Sequence, residues 1–185
     1  RWCLWLVDCP PGELKNMPGV LRRVEGVRAH MDASKRPTTK ELAKTPTLFG
    51  EIRQPEESFI LVPAHSSERR LYIPLGFFKA NVIVGNANLC VPNGTRYEFG
   101  VMSSAMHMAW VRYVCGRLES RYRYTNQIVY NNFPWPEHAT DEQRKTVEDA
   151  VQGVLDVREA EFKRDASVSL ATLYDPDLMP PALVK

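Results

Sequence analysis

The residues best suited to do chemistry stand at alternate positions in Glu119-Ser120-Arg121-Tyr122-Arg123-Tyr124. In an extended backbone, Glu119, Arg121 and Arg123 would point to one side at steps of about 6.6 Å. One acid beside two arginines suits the reading of base edges. A carboxylate accepts from cytosine N4, and a guanidinium forks onto guanine O6 and N7. Glu119 and Arg121 could in this way take the two bases of a single C:G pair. The competing reading is a salt-bridge cluster at a helix end, which contributes little. Spacing alone leaves both open.

A second polar group, Ser66-Ser67-Glu68-Arg69-Arg70, lies between two strand-like runs. Its hydroxyls and guanidiniums could meet phosphates, or the run could be a solvated hairpin turn. Other chemistries lack their signatures. The chain has no G-x-G, no G-x-S-x-G and no P-loop, the patterns of dinucleotide or methyl-donor binding, hydrolase and nucleotide sites. Asn131-Asn132-Phe133-Pro134-Trp135-Pro136 invites comparison with the N-P-P-aromatic loop of amino-methyltransferases. Its prolines are separated by Trp135, so an aromatic-proline plug closing a core is the better reading. Cys3, Cys9, Cys90 and Cys115 form no C-x-x-C pair and do not cluster with the four histidines. They read as free thiols in a reducing cytoplasm, Cys115 as a small core residue. No catalytic and no metal-binding residues are expected.

Several elements must position these groups. Trp2 to Val7 reads as a short strand stopped by Pro10, Pro11 and Gly12. A helix is expected from Pro18 to about Ala33, with Pro37 beyond its end. From about Phe59 come β-type runs, FILVPA, RLYIPLGFF and NVIVGNANLCVPN, which predict a small antiparallel sheet. YEFGVMSSAMHMAWVRYVCGRL then predicts one long, largely buried helix, because its apolar residues recur at three- and four-residue steps. Thr140 and Asp141 look like the cap of a surface helix to about Phe162, and the Pro-rich tail reads as a strap. The fold class is α+β: a small antiparallel or mixed sheet with a long buried helix, followed by a helical tail.

The 185 residues carry 44% apolar side chains and 25% charged ones, the composition of an ordinary globular domain. No run is long and apolar enough to span a membrane. The chain begins at Arg1 without an initiator Met, and reads as an excerpt from a longer protein. Net charge is only +2, but residues 1–52 carry nine bases and six acids, 53–123 nine and five, and 137–185 six and eleven. Such asymmetry suits a polyanion at one end and solvent or a protein neighbour at the other.

The segments TPTLFGEIRQP, SSERRLYIPLGF, SSAMHMAWVRYVCGRLESRYRY, IVYNNFPWPE and SLATLYDPDLMPPALVK, in this order, resemble the region after the methyltransferase core in the MmeI-like family of type IIL restriction-modification enzymes. The resemblance covers nearly the whole chain. It implies a parent polypeptide with a nuclease domain, a helical connector and an adenine-N6 methyltransferase core that uses S-adenosylmethionine and Mg2+. This segment would be residues 1–136 as a DNA target recognition domain, with 1–40 as a helical lead-in, and 137–185 as an incomplete helical C-terminal part. It would not itself be an enzyme. Its partners would be double-stranded DNA and the methyltransferase core of the same polypeptide, with no membrane, in the bacterial cytoplasm.

By motif match, the resemblance implies base-reading roles for Ala87, in VGNANL, and for Glu119, Arg121 and Arg123. Many relatives have Lys and Asp where this chain has Glu119 and Arg121, a reversal that fits C:G read in one and G:C in the other. Ser66, Ser67, Arg69 and Arg70 would support the fold or touch the DNA backbone. His65 stands where the pattern leads one to expect Val or a similar residue. A reading from another class is a protein-interaction module that touches no bases, with the acidic helix from Asp141 and the Pro-rich tail as its working face.

Overall fold

A computed structural model describes residues 2–184. The chain divides into two compact units, residues up to 53 and residues from 54 onward.

The first unit is helical, and each of its helices opens on a proline. The helices are α1 (Pro11–Lys15), α2 (Pro18–Asp32) and α3 (Pro37–Leu42). Proline suits the first helical position because its φ is already helical and its missing N–H has no partner there anyway. Pro37 therefore starts a helix rather than merely following one. Val24 of α2 and Ala43 after α3 are the buried residues of this unit, and Trp5 stacks on Phe49 at 5.5 Å between ring centres. The strand expected over Trp2–Val7 does not form. The segment is irregular, ends in a turn with Asp8 at φ 62°, and leaves Trp2 exposed. Its apolar pattern is strand-like, but the unit has no second strand among the described residues to take its backbone hydrogen bonds.

The second unit holds two small antiparallel sheets. In the first, β1 (Phe59–Pro63) runs between β3 (Gly76–Phe78) and β4 (Asn88–Pro92). As the central strand it reads as an apolar run, with Phe59, Ile60 and Val62 all buried. In the second sheet, β6 (Arg121–Arg123) runs between β2 (His65–Ser66) and β5 (Gly116–Leu118). The expected α+β class is the one observed.

The long apolar run contains two helices instead of one: α4 (Arg96–Met102) and α5 (Ala105–Val114). Ser103 and Ser104 divide them. The Ser104 hydroxyl accepts from the His107 N–H as the cap of α5, so a side-chain oxygen replaces the helical bond at the break. Thr95 and Glu98 form a capping box on α4. Together the helices bury Phe99, Met102, Met108 and Val111 against Ile60, Val62, Ile73 and Leu75.

The acidic helix α6 (Asp141–Arg164) starts at a Thr140–Gln143 capping box, as its cap residues suggested. It belongs to the same compact unit as both sheets. Gly100 lets it approach α4, because a Cβ there would run into the Val147 side chain and stand 2.8 Å from Val151. Arg158 on α6 is buried. It donates to the Leu75 carbonyl at 2.8 Å and to the Tyr174 hydroxyl. Short helices α7 (Leu170–Leu173) and α8 (Pro181–Val184) make the tail a strap, packing Leu173, Tyr174 and Leu183 with Tyr72, Val154 and Val157.

Gly100→Ala should lower stability by about 1–3 kcal/mol through overpacking. The gain in helix propensity, about 1 kcal/mol, would offset only part of that. Urea denaturation checks the sign, and an unchanged or raised midpoint would contradict the close α4–α6 approach.

Candidate nucleic-acid interface

The candidate readers sit on a β-hairpin rather than at a helix end. Strands β5 and β6 pair with Leu118 opposite Arg121, Arg117 opposite Tyr122 and Gly116 opposite Arg123. Strand alternation then separates two faces. Tyr122 points inward and is 3% exposed, while Arg121 and Arg123 flank it on the outer face. The repeat Arg-Tyr-Arg-Tyr is the sequence imprint of this alternation, since Tyr124 is buried as well.

Glu119 departs from the expected comb. It is not in the strand but is the first residue of the two-residue hairpin connection, at φ 57°. That left-handed region suits glycine, and a residue with a Cβ pays roughly 1–2 kcal/mol there. The turn brings the carboxylate to the Arg121 guanidinium at 2.6 Å, with both side chains exposed. An acceptor and a planar donor fork thus stand side by side facing solvent. As an exposed ion pair they contribute at most about 1 kcal/mol to stability. Both groups are therefore free to change partners at little cost.

The hairpin is held from beneath. The Arg117 guanidinium lies 4.0 Å over the Tyr122 ring and donates to the Ser120 carbonyl at 3.3 Å and the Arg112 carbonyl at 3.4 Å. It ties the turn to the end of α5. The Tyr124 hydroxyl meets His107 Nε2 at 2.9 Å. Burial lowers His107 from its ordinary 6.5 to about 4 and pushes the Tyr124 phenol well up, so both are neutral at pH 7. These supports are invisible to motif reading, because Arg117 and His107 look like any other arginine and helical histidine.

Ala87 lies just before β4, and one residue connects it to the hairpin. The Ala64 N–H donates to the Ala87 carbonyl at 3.0 Å, and the Ala64 carbonyl accepts from the Tyr124 N–H at 2.8 Å. Two strand spacings, about 10 Å, thus separate Ala87 from the Arg123–Tyr124 stretch. The structure thus puts Ala87 near the Arg123 end of the hairpin and Glu119 with Arg121 at its tip.

The serine–arginine loop is engaged with the chain itself. Ser66 is 3% exposed, and its hydroxyl accepts from Arg70 at 3.3 Å. Arg70 also donates to the Ala171 carbonyl at 3.4 Å, and Arg69 pairs with Asp177 at 3.0 Å. The Ser67 hydroxyl accepts from the Arg69 N–H at 3.2 Å. The loop fastens the C-terminal strap to the sheet; Glu68 and Arg69 are exposed, Ser67 and Arg70 half-buried and Ser66 buried.

Residues 1–137 match the model of the MmeI target recognition domain, and residues 139–185 that of the MmeI C-terminal domain. The chain belongs to the MmeI target recognition domain family. DNA methyltransferase A of Bacillus subtilis (strain 168) is 36% identical over 180 residues, which cover 97% of this chain and 20% of that protein. A solved structure of the type IIL restriction-modification enzyme MmeI in complex with DNA superposes with a TM-score of 0.92 at 42% identity, covering 99% of this chain and 24% of the other. The chain thus spans a fifth to a quarter of the length of these relatives. Within the MmeI recognition fold, the hairpin and the segment around Ala64 form one exposed ledge built on buried tyrosines.

Two outcomes follow from this support. His107 takes its proton more readily in the unfolded chain, since burial lowers its folded-state value. Stability present above about pH 6.5 should be lost as the pH falls through about 4, by on the order of 3 kcal/mol. His107→Gln should flatten that slope in urea denaturation at pH 7 and 4.5, and an equal slope in both proteins would refute the assignment. Glu119→Gly should relieve the left-handed strain, less the chain entropy glycine adds to the unfolded state. It should leave the melting temperature unchanged or raise stability by up to about 1 kcal/mol.

Proposed function

We propose that this chain reads double-stranded DNA in a sequence-specific way and directs a methyltransferase core, elsewhere in the same polypeptide, to its site. The observation that carries this reading is the exposed Glu119–Arg121 pair at 2.6 Å, presented at the tip of a hairpin braced by Arg117 and Tyr122. A two-stranded ribbon fits the major groove, and an acceptor beside a guanidinium matches the exposed edges of a C:G pair. From Arg112 to Arg123 the chain carries four arginines and one acid, a net +3 that favours a polyanion. The family membership supports the same conclusion.

Glu119 accepts from cytosine N4 while Arg121 forks onto the guanine, and each leaves its partner in the ion pair to do so. Arg123 reads a neighbouring base pair, with the small Ala87 leaving room for it. Ser66, Ser67, Arg69 and Arg70 hold the strap and sheet together behind this surface, and Arg69 or Ser67 reaches the DNA backbone. The reading stops short of chemistry. The parent protein is a site-specific adenine DNA methyltransferase with a linked endonuclease, working in the bacterial cytoplasm. S-adenosylmethionine and Mg2+ would bind to its other parts. The residues here do not fit either group, for no cluster of three His, Cys, Asp or Glu occurs among the described residues and the chain has no G-x-G. This segment positions DNA so that the core can rotate its target adenine out of the stack.

The test is the methylome of cells expressing the whole polypeptide, unaltered or with Glu119→Lys and Arg121→Asp together. The methylated motif should change from C to G at one position and keep the others. An unchanged motif at full methylation would sink the roles of Glu119 and Arg121. The purified polypeptide should also bind DNA less tightly as salt rises, with log K falling linearly in log salt.

A further inference from the structure

The pairing of β2 with β6 puts one more side chain on the reading ledge. His65 stands directly opposite Arg123 in the antiparallel register, and Ser66 stands opposite Tyr122. Directly opposed residues share a face, with Cβ atoms about 4.5–5.5 Å apart. Ser66 and Tyr122 are the inward pair, both 3% exposed. His65 and Arg123 are the outward pair, and both are exposed. The residue before His65, Ala64, donates its N–H to the Ala87 carbonyl. His65 therefore shares the outer face with Arg123, on the edge strand of this sheet and next in the chain to the residue that bonds Ala87. Its imidazole makes no hydrogen bond and no ion pair among the described residues.

We propose that His65 is a specificity-determining residue that contacts a base edge beside the pair read by Arg123. This rests on the DNA-reading function proposed above. Sequence is read by side chains that reach base edges in the groove, and His65 points from the same face as Arg123. An imidazole N–H matches the N7 acceptor that purines present in the major groove. Pro63 precedes Ala64, and the Ala64 backbone is bonded on both sides, so the position of His65 is fixed by main-chain contacts.

The experiment compares His65→Ala and His65→Gln in the intact polypeptide, with the Glu119→Lys, Arg121→Asp double variant as control and the methylome as readout. His65→Ala should keep the cognate motif methylated and lower discrimination by about tenfold or more at one base pair, next to or shared with the one Arg123 governs. All other positions should stay as they are. An unchanged motif at full methylation overturns the proposal. So does equal weakening on every DNA sequence with a salt slope smaller by about one, the mark of a phosphate contact. If His65→Ala abolishes methylation, His65→Gln decides, because it retains a donor. Recovery of the cognate motif supports the reader, and loss in both variants at an unchanged melting temperature overturns it. The control separates the two levels of inference: if it fails to move the motif, the base-reading ledge itself is refuted, whatever His65 does.

Discussion

Two main-chain hydrogen bonds at Ala64 hold the rest of the proposed recognition surface in register. Its N–H reaches the Ala87 carbonyl and its carbonyl receives the Tyr124 N–H. Through them the chain passes from the central strand of one sheet to the edge of the other without a loop between. Backbone groups at such a junction must find partners once they are away from water. Satisfying both in one residue leaves little freedom for the relative placement of Ala87, His65 and Arg123. Recognition of a base pair demands hydrogen-bond geometry good to fractions of an ångström. A rigid main-chain link supplies that more reliably than contacts between long side chains.

Support and the proposed base reading are divided between the two faces of the same hairpin. Tyr122, Tyr124 and His107 make the buried inner layer and carry the packing energy, with the exposed Arg117 guanidinium stacked on Tyr122. Arg121, Arg123 and Glu119 make the outer layer, and their exposed ion pair contributes little to folding. A surface built in this way can exchange its outer side chains, or reverse their charge, while the fold persists. The one outer residue that carries strain is Glu119, in a left-handed turn position that glycine would occupy more easily. Keeping a carboxylate at that cost fits a role in recognition.

The C-terminal helices complete the recognition unit. Arg158 enters a buried site from α6 and is satisfied by the Leu75 carbonyl and the Tyr174 hydroxyl, with the rings of Phe99 and Tyr174 beside it. A buried guanidinium without a carboxylate is tolerable only when its donors are matched in this way. The site joins the segment just before β3, α4, α6 and the strap. Arg69 and Arg70 also fasten the same strap, through Asp177 and the Ala171 carbonyl. The loop that sequence spacing offered equally to phosphates or to solvent is chiefly a clasp, because its carbonyl and carboxylate partners lie a hundred residues further on.

Local patterns in the sequence determined a good deal. The alternation through Arg121–Tyr124, the apolar runs around Phe59 and Asn88, the Pro18 helix start and the Thr140 cap were all legible. Each depends on neighbours within a few residues, where side-chain periodicity and capping chemistry act. The family motifs added the candidate readers. Other features were decided only by tertiary structure, and for one reason: they depend on which distant group supplies a partner. Trp2–Val7 has a strand's pattern but no strand to pair with. The apolar run around Ser103 breaks because a serine cap competes with the helical bond there. Glu119 reaches Arg121 through a turn that strand spacing could not foresee. His65 faces outward beside Arg123 because register, set by two backbone bonds at Ala64, chose the side, and a slip of one residue would have buried it.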